Sequence, residues 1–112
     1  MSRLVAVESP YKAETKEELE RNVKYARECM RDCFKRGEFP FASHLLYTQE
    51  GILDDDNPNE RKLGIEAGLY WVKRADADAT IVYTDYGITD GMKQGIERAE
   101  EEDRSIEYRK LK

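Results

Sequence analysis

The chain has 112 residues, of which 39% are hydrophobic, 10% aromatic and 38% charged. That length suits one domain, the apolar content is too high for a disordered chain, and no apolar run approaches the ~20 residues of a bilayer-spanning helix. Nineteen Lys and Arg against twenty-four Asp and Glu leave a formal charge of −5, which argues against nucleic acid and anionic membranes as partners but leaves room for a local anion site.

In chain order, MSRLVAVESP lacks the apolar core of a signal peptide, so a cytoplasmic chain is expected. Leu4 to Val7 is a continuous apolar run closed by Glu8-Ser9-Pro10. Its lack of alternation predicts a strand buried on both faces, as in a parallel sheet. Thr15 followed by Glu18 is a capping-box pattern, and Leu19, Val23, Ala26, Met30, Cys33 and Phe34 form one helical stripe. A helix is therefore predicted from about Thr15 to Arg36, with Gly37 as its C′ residue. Cys29 and Cys33 lie four apart on it, a spacing at which helix backbone rarely permits a disulfide, and they read as small buried apolar residues. With a single histidine in the chain there is no Cys/His zinc set, and no metal or cofactor is expected.

Phe39 to Ser43 predicts a second strand, in which Pro40 must take the first position or a sheet edge. His44 to Gln49 leads into the polar stretch Asp54 to Asn59, where Asn57 as N-cap and Pro58 at N1 predict another helix. Gly64 and Gly68 give that helix a strip without side chains, suited to close packing. A calcium-loop reading of Asp55, Asn57 and Asn59 fails, because Glu60 stands where such a loop needs glycine and Pro58 interrupts it. Ala79 to Thr84 is a second buried-type strand, followed by a helix from Met92 to about Glu102 and a final strand at Ser105 to Tyr108.

The order β-α-β-α-β-α-β predicts an α/β fold: a four-stranded parallel sheet with helices on both faces. Ligands of such sheets sit beyond the carboxyl ends of the strands, at the switch point in strand order. That rule nominates three loops, Glu8–Lys12, Ser43–Asn57 and Asp85–Met92. In the third, Thr89-Asp90-Gly91-Met92 stands where a strand hands over to a helix, a place suited to phosphate or carboxylate. Thr89 also reads as a plain helix cap, and Asp90 opposes an anion unless its side chain turns outward. In the first, Ser9, Pro10 and Tyr11 offer a hydroxyl and an aromatic face to a base or ribose, or a lid on the core. His44, with Tyr47 three residues on, is a candidate for a sugar hydroxyl or for acid–base work near neutral pH, or simply satisfies a loop carbonyl.

The segments VAVESPY (5–11), FPFASHLLYTQ (39–49), GIEAGLYW (64–71) and ITDGM (88–92) resemble a family of small phage and bacterial proteins grouped with the nucleoside 2-deoxyribosyltransferase-like fold. The resemblance implies a three-layer, flavodoxin-like sandwich, a nucleoside or nucleotide pocket above the strand ends, and homo-oligomers, often dimers that complete each other's pockets. It also implies a catalytic carboxylate in a pattern like [ST]-x-G-M-x-x-E-I. Here that pattern reads Thr89-Asp90-Gly91-Met92-Lys93-Gln94-Gly95-Ile96, and the glutamate position is Gly95. Glu97 lies about 200° round the helix from the site. Asp85 is the best surviving carboxylate, ahead of Asp54 and Glu66.

Three functions follow as expectations. The first is a nucleotide-binding protein that holds its ligand without cleaving it. Such a protein could act as a phage-encoded sponge in the host cytoplasm, sequestering a nucleotide signal of a host defence system. The second is a deoxynucleoside or nucleotide N-glycosidase or deoxyribosyltransferase using Asp85. The third is a structural interaction domain that binds nothing small.

Overall fold

The computed structural model describes residues 2–112. Its strands β1 (Leu4–Glu8), β2 (Phe39–Phe41), β3 (Ala79–Tyr83) and β4 (Ser105–Arg109) form one all-parallel sheet in the order β2-β1-β3-β4. Helices α1 (Lys16–Lys35), α2 (Ser43–Leu46), α3 (Pro58–Arg74) and α4 (Asp90–Glu101) complete a three-layer, flavodoxin-like α/β sandwich. The two non-alternating apolar runs are its central strands: Val5, Ala6, Val7 and all of β3 are buried. Pro40 sits in β2, which pairs only with β1 and so needs no amide on its outer side.

Side-chain parity divides the two faces of the sheet. Val5, Val7, Ala79, Ile81 and Tyr83 face α1 and pack against Tyr25, Cys29 and Cys33, both cysteines being free and buried. Ala6, Glu8, Thr80 and Val82 take the opposite face. There Glu8 meets Gly95 of α4, and Thr80 accepts a hydrogen bond from Arg104 at 3.1 Å.

The helix ends follow the sequence closely. Thr15 caps α1 by accepting from the Glu18 amide at 3.1 Å, and Gly37 has φ +78° just beyond its end. The capping box is only half formed, because the Glu18 carboxylate accepts from the Glu14 amide instead. Asn57 caps α3 through the amides of Asn59 and Glu60, with Pro58 in the first turn. Strand β2 ends at Phe41, short of the predicted Ser43, and helix α2 takes Ser43 with the first residues of a stretch that sequence reasoning leaves as loop. It is four residues long and its N-cap, Ala42, has no side-chain cap, so no local signal marks it. Packing on α3 holds it: a Cβ added at Gly68 would overlap Ser43, and one at Gly64 would lie 3.8 Å from Cβ of Tyr47, its C-cap. Among the described residues no helix is long and apolar enough to cross a membrane.

Candidate functional site

A cavity of about 530 Å³ lies beneath α3 and α4 and opens at the carboxyl ends of β1 and β2. The chain leaves β1 toward β2 on one side and returns to β3 on the other, so this is the switch point of the sheet. Phe41, Leu53, Ile65, Leu69 and Val72 form its apolar wall.

The segment after β1 supplies a hydroxyl and a ring. Ser9 is buried, with its Oγ 2.8 Å from Nε2 of His44, and the Tyr11 ring meets the imidazole edge-on at 6.2 Å between centroids. Two bonds position this group. Buried Asn22 of α1 donates to the Tyr11 carbonyl at 2.9 Å, and Thr48 donates to the His44 carbonyl at 2.5 Å. Burial pushes the imidazole down to about 4, so His44 is neutral near pH 7 and acts there as a hydrogen-bonding group, not as a titrating acid–base.

Opposite this cluster stands the first turn of α4. Thr89 is its cap, accepting from the Met92 amide at 3.3 Å, while the Thr89 amide donates to Met92 Sδ at 3.4 Å. The amides of Asp90 and Gly91, in the first turn, have no intrahelical acceptor. The Asp90 side chain is fully exposed, its carboxylate 3.8 Å from Lys93 on the same turn. Arg61 of α3 reaches over the same turn. Its Nη1 is 2.9 Å from Asp55, and its Nη2 would lie 3.1 Å from a Cβ at Gly91, so the glycine admits the guanidinium. Nothing local in the sequence around Arg61 marks this contact, which only tertiary packing makes.

Glu8 opens the first nominated loop, where sequence reasoning gives it no role of its own. Its carboxyl group fills the space a side chain at position 95 would take: a Cβ on Gly95 would overlap both Cδ and Oε2. Removal from water pushes the carboxyl up to about 8, against a smaller opposing pull from Arg104. A lone Glu closing an apolar strand that packs on both faces is the signal that could have found it.

The cavity brings together Ser9, Tyr11, His44, Thr89, Asp90, Gly91 and Met92. Pro10 is buried behind the lining. Asp54, Glu66 and Glu97 are exposed and outside it. Asp85 is also outside, because it continues the parity of Tyr83 toward α1. It accepts from the Tyr25 hydroxyl at 2.6 Å and from the amides of Leu111 at 2.9 Å and Lys112 at 3.3 Å. Burial alone would raise its carboxyl, but these bonds outweigh it and hold the group below its ordinary 3.8. The carboxylate therefore ties the C-terminal segment to α1. Asp85→Ala is expected to lose about 1–3 kcal/mol in urea unfolding. Since the folded value is the lower one, that contribution is present above about pH 4 and lost as the pH falls below it.

A family model described as a domain of unknown function, DUF7768, matches residues 3–109. The chain belongs to the DUF7768 family. Every cavity residue named above falls within the matched span, so the cavity is part of the DUF7768 domain itself. No curated protein and no solved structure matches the chain significantly.

Proposed function

We propose that this DUF7768 protein binds a nucleoside- or nucleotide-type ligand and holds it without cleaving the glycosidic bond. One observation carries the reading. Across a single cavity, the Ser9–His44–Tyr11 cluster faces the open amides of α4, with Arg61 beside them. The apolar wall takes the base, Ser9 and His44 take ribose or base edges, and the turn with Arg61 takes a phosphate. Sequestration of a nucleotide signal by a phage-type protein is the biological role this chemistry suits. A homo-oligomer belongs to the same reading, and the outer face of α3, with Leu63, Tyr70 and Trp71 exposed, is the surface that supports it.

The test is mass spectrometry of small molecules released by heat from the purified protein, followed by incubation of the refolded protein with what is found. Release of an intact nucleotide that is recovered unchanged is the expected result; an empty protein that no nucleotide stabilises against heat would refute the reading. Arg61→Ala is expected to weaken a nucleoside monophosphate by about tenfold or more in calorimetry, and to leave the matching nucleoside nearly unaffected.

One observation favours a second reading, N-glycosidic cleavage. The carboxyl group absent at position 95 is supplied to nearly the same place by Glu8. It ranks below binding because a carboxyl held at about 8 is neutral near pH 7, whereas a nucleophile must be ionised. Free base released from deoxynucleotides by the protein, and not by Glu8→Gln, would reverse that ranking.

A further inference from the structure

The carboxyl group of Glu8 has an unusual setting. It enters the cavity from β1 through the gap left by Gly95, and no side-chain or backbone donor among the described residues reaches it. Its oxygens are not sealed off, and they meet the cavity instead. An ionised carboxylate in such a place would lack every partner it needs, whereas a neutral one needs only a ligand.

The groups facing Glu8 are already committed elsewhere. From the α4–β4 turn, Arg104 is held by Glu102 at 2.6 Å and by Thr80 at 3.1 Å. From α3, Arg61 is held by Asp55 at 2.9 Å. From α2, His44 is paired with Ser9 and is neutral near pH 7. Helix α4 presents Gly95 and Met92, which carry no charge, and β3 presents Thr80 and Val82.

We propose that Glu8 is the base-recognising group of the cavity, its carboxyl O–H and C=O pairing with an adjacent acceptor and donor on the ligand, as presented by the edge of a nucleobase. The proposal rests on the nucleotide reading above and adds to it the group that reads the base. A neutral carboxyl matches an edge with one donor and one acceptor. An ionised one would match only two donors. Recognition is thereby coupled to a proton: the ligand binds the protonated form, and raising the pH through the Glu8 value weakens it. Burial pushes this carboxyl up to about 8, which puts that loss within reach of ordinary buffers.

The experiment is calorimetry of the full chain with dAMP, dCMP, dGMP and dTMP at pH 6.5 and pH 9. Wild type is expected to lose about tenfold in affinity at the higher pH for the nucleotide it binds best. Glu8→Ala is expected to lose about tenfold at pH 6.5, the worth of a hydrogen bond made by a buried group. Glu8→Gln keeps one donor and one acceptor but cannot ionise, and its affinity is expected to stay constant between the two pH values. Urea unfolding of each variant verifies that it is folded. Equal pH dependence in wild type and Glu8→Gln would overturn this inference while leaving the nucleotide reading intact. Absence of binding by all four nucleotides at both pH values would overturn this inference, and the nucleotide reading falls with it if the protein is also empty and gains no heat stability from any nucleotide.

Discussion

Glu38→Ala is expected to lose about 3 kcal/mol in urea unfolding, the cost of stranding a largely buried guanidinium. Glu38 directly precedes β2 and is only 5% exposed. Arg109, at the end of β4, grips it with two parallel bonds of 2.7 Å, and Arg3, before β1, adds a third at 2.6 Å. Glu107 closes the ring, accepting from Arg3 at 2.8 Å and from Arg109 at 3.1 Å. The four charges join segments that the sequence separates by more than 100 positions. The loss falls at the low end for a broken buried pair, because Arg109 keeps Glu107 and Arg3 is partly in water. The guanidinium of Arg109 holds the Glu38 carboxyl at about 2, despite its burial, against an ordinary 4.5. Because the folded value is the lower one, this stability is complete above about pH 4.5 and drains away as the pH falls toward 2. Glu38→Gln should therefore flatten the acid limb of the stability curve between those limits. Replacing Glu38 and Arg109 together by leucine should cost less than the two single losses summed, since neither partner is left unpaired.

The elements of the fold that local chemistry marks were legible in the sequence. Thr15, Gly37, Asn57 and Pro58 punctuate α1 and α3 where they stand because caps and breakers act on their own backbone. The apolar runs at 4–7 and 79–84 mark the central strands because burial on both faces leaves no alternation to mislead. Helix α2 was not legible, since four residues without a capping side chain carry no period and are held by the flat strip of Gly64 and Gly68. At the site, Ser9, Tyr11, His44 and the Thr89–Met92 turn follow from topology, which sends the loops after the strands to one end. Asp85 shows the limit of that rule. A loop residue can be assigned to the correct end of the sheet and still face the other layer, which depends on a parity the sequence does not number. Arg61 and Glu8 depend on which helix lies over which strand, and each fits its place only because a glycine, Gly91 or Gly95, stands opposite.

Gly95→Glu is expected to lose about 2–4 kcal/mol, and Glu8→Ala in the same chain to recover more than half of that loss. Gly95 is buried at the middle of α4, and any Cβ there overlaps the carboxyl group of Glu8. The smallest change, Gly95→Ala, is mild in comparison. The far end of Glu8 can swing toward the cavity, and alanine regains about 1 kcal/mol of helix preference over glycine. Its expected signature is a displaced Glu8 with little change in the unfolding midpoint. A glutamate at 95 is different, because two carboxyl groups must then share one poorly solvated space with no donor for either. Removing the Glu8 side chain vacates that space, so the two positions should show strong coupling in a double-mutant cycle of urea midpoints. Additive losses would mean that the carboxyl of Glu8 does not occupy the space facing Gly95. In the double variant the carboxyl at this place is carried by the helix instead of the strand.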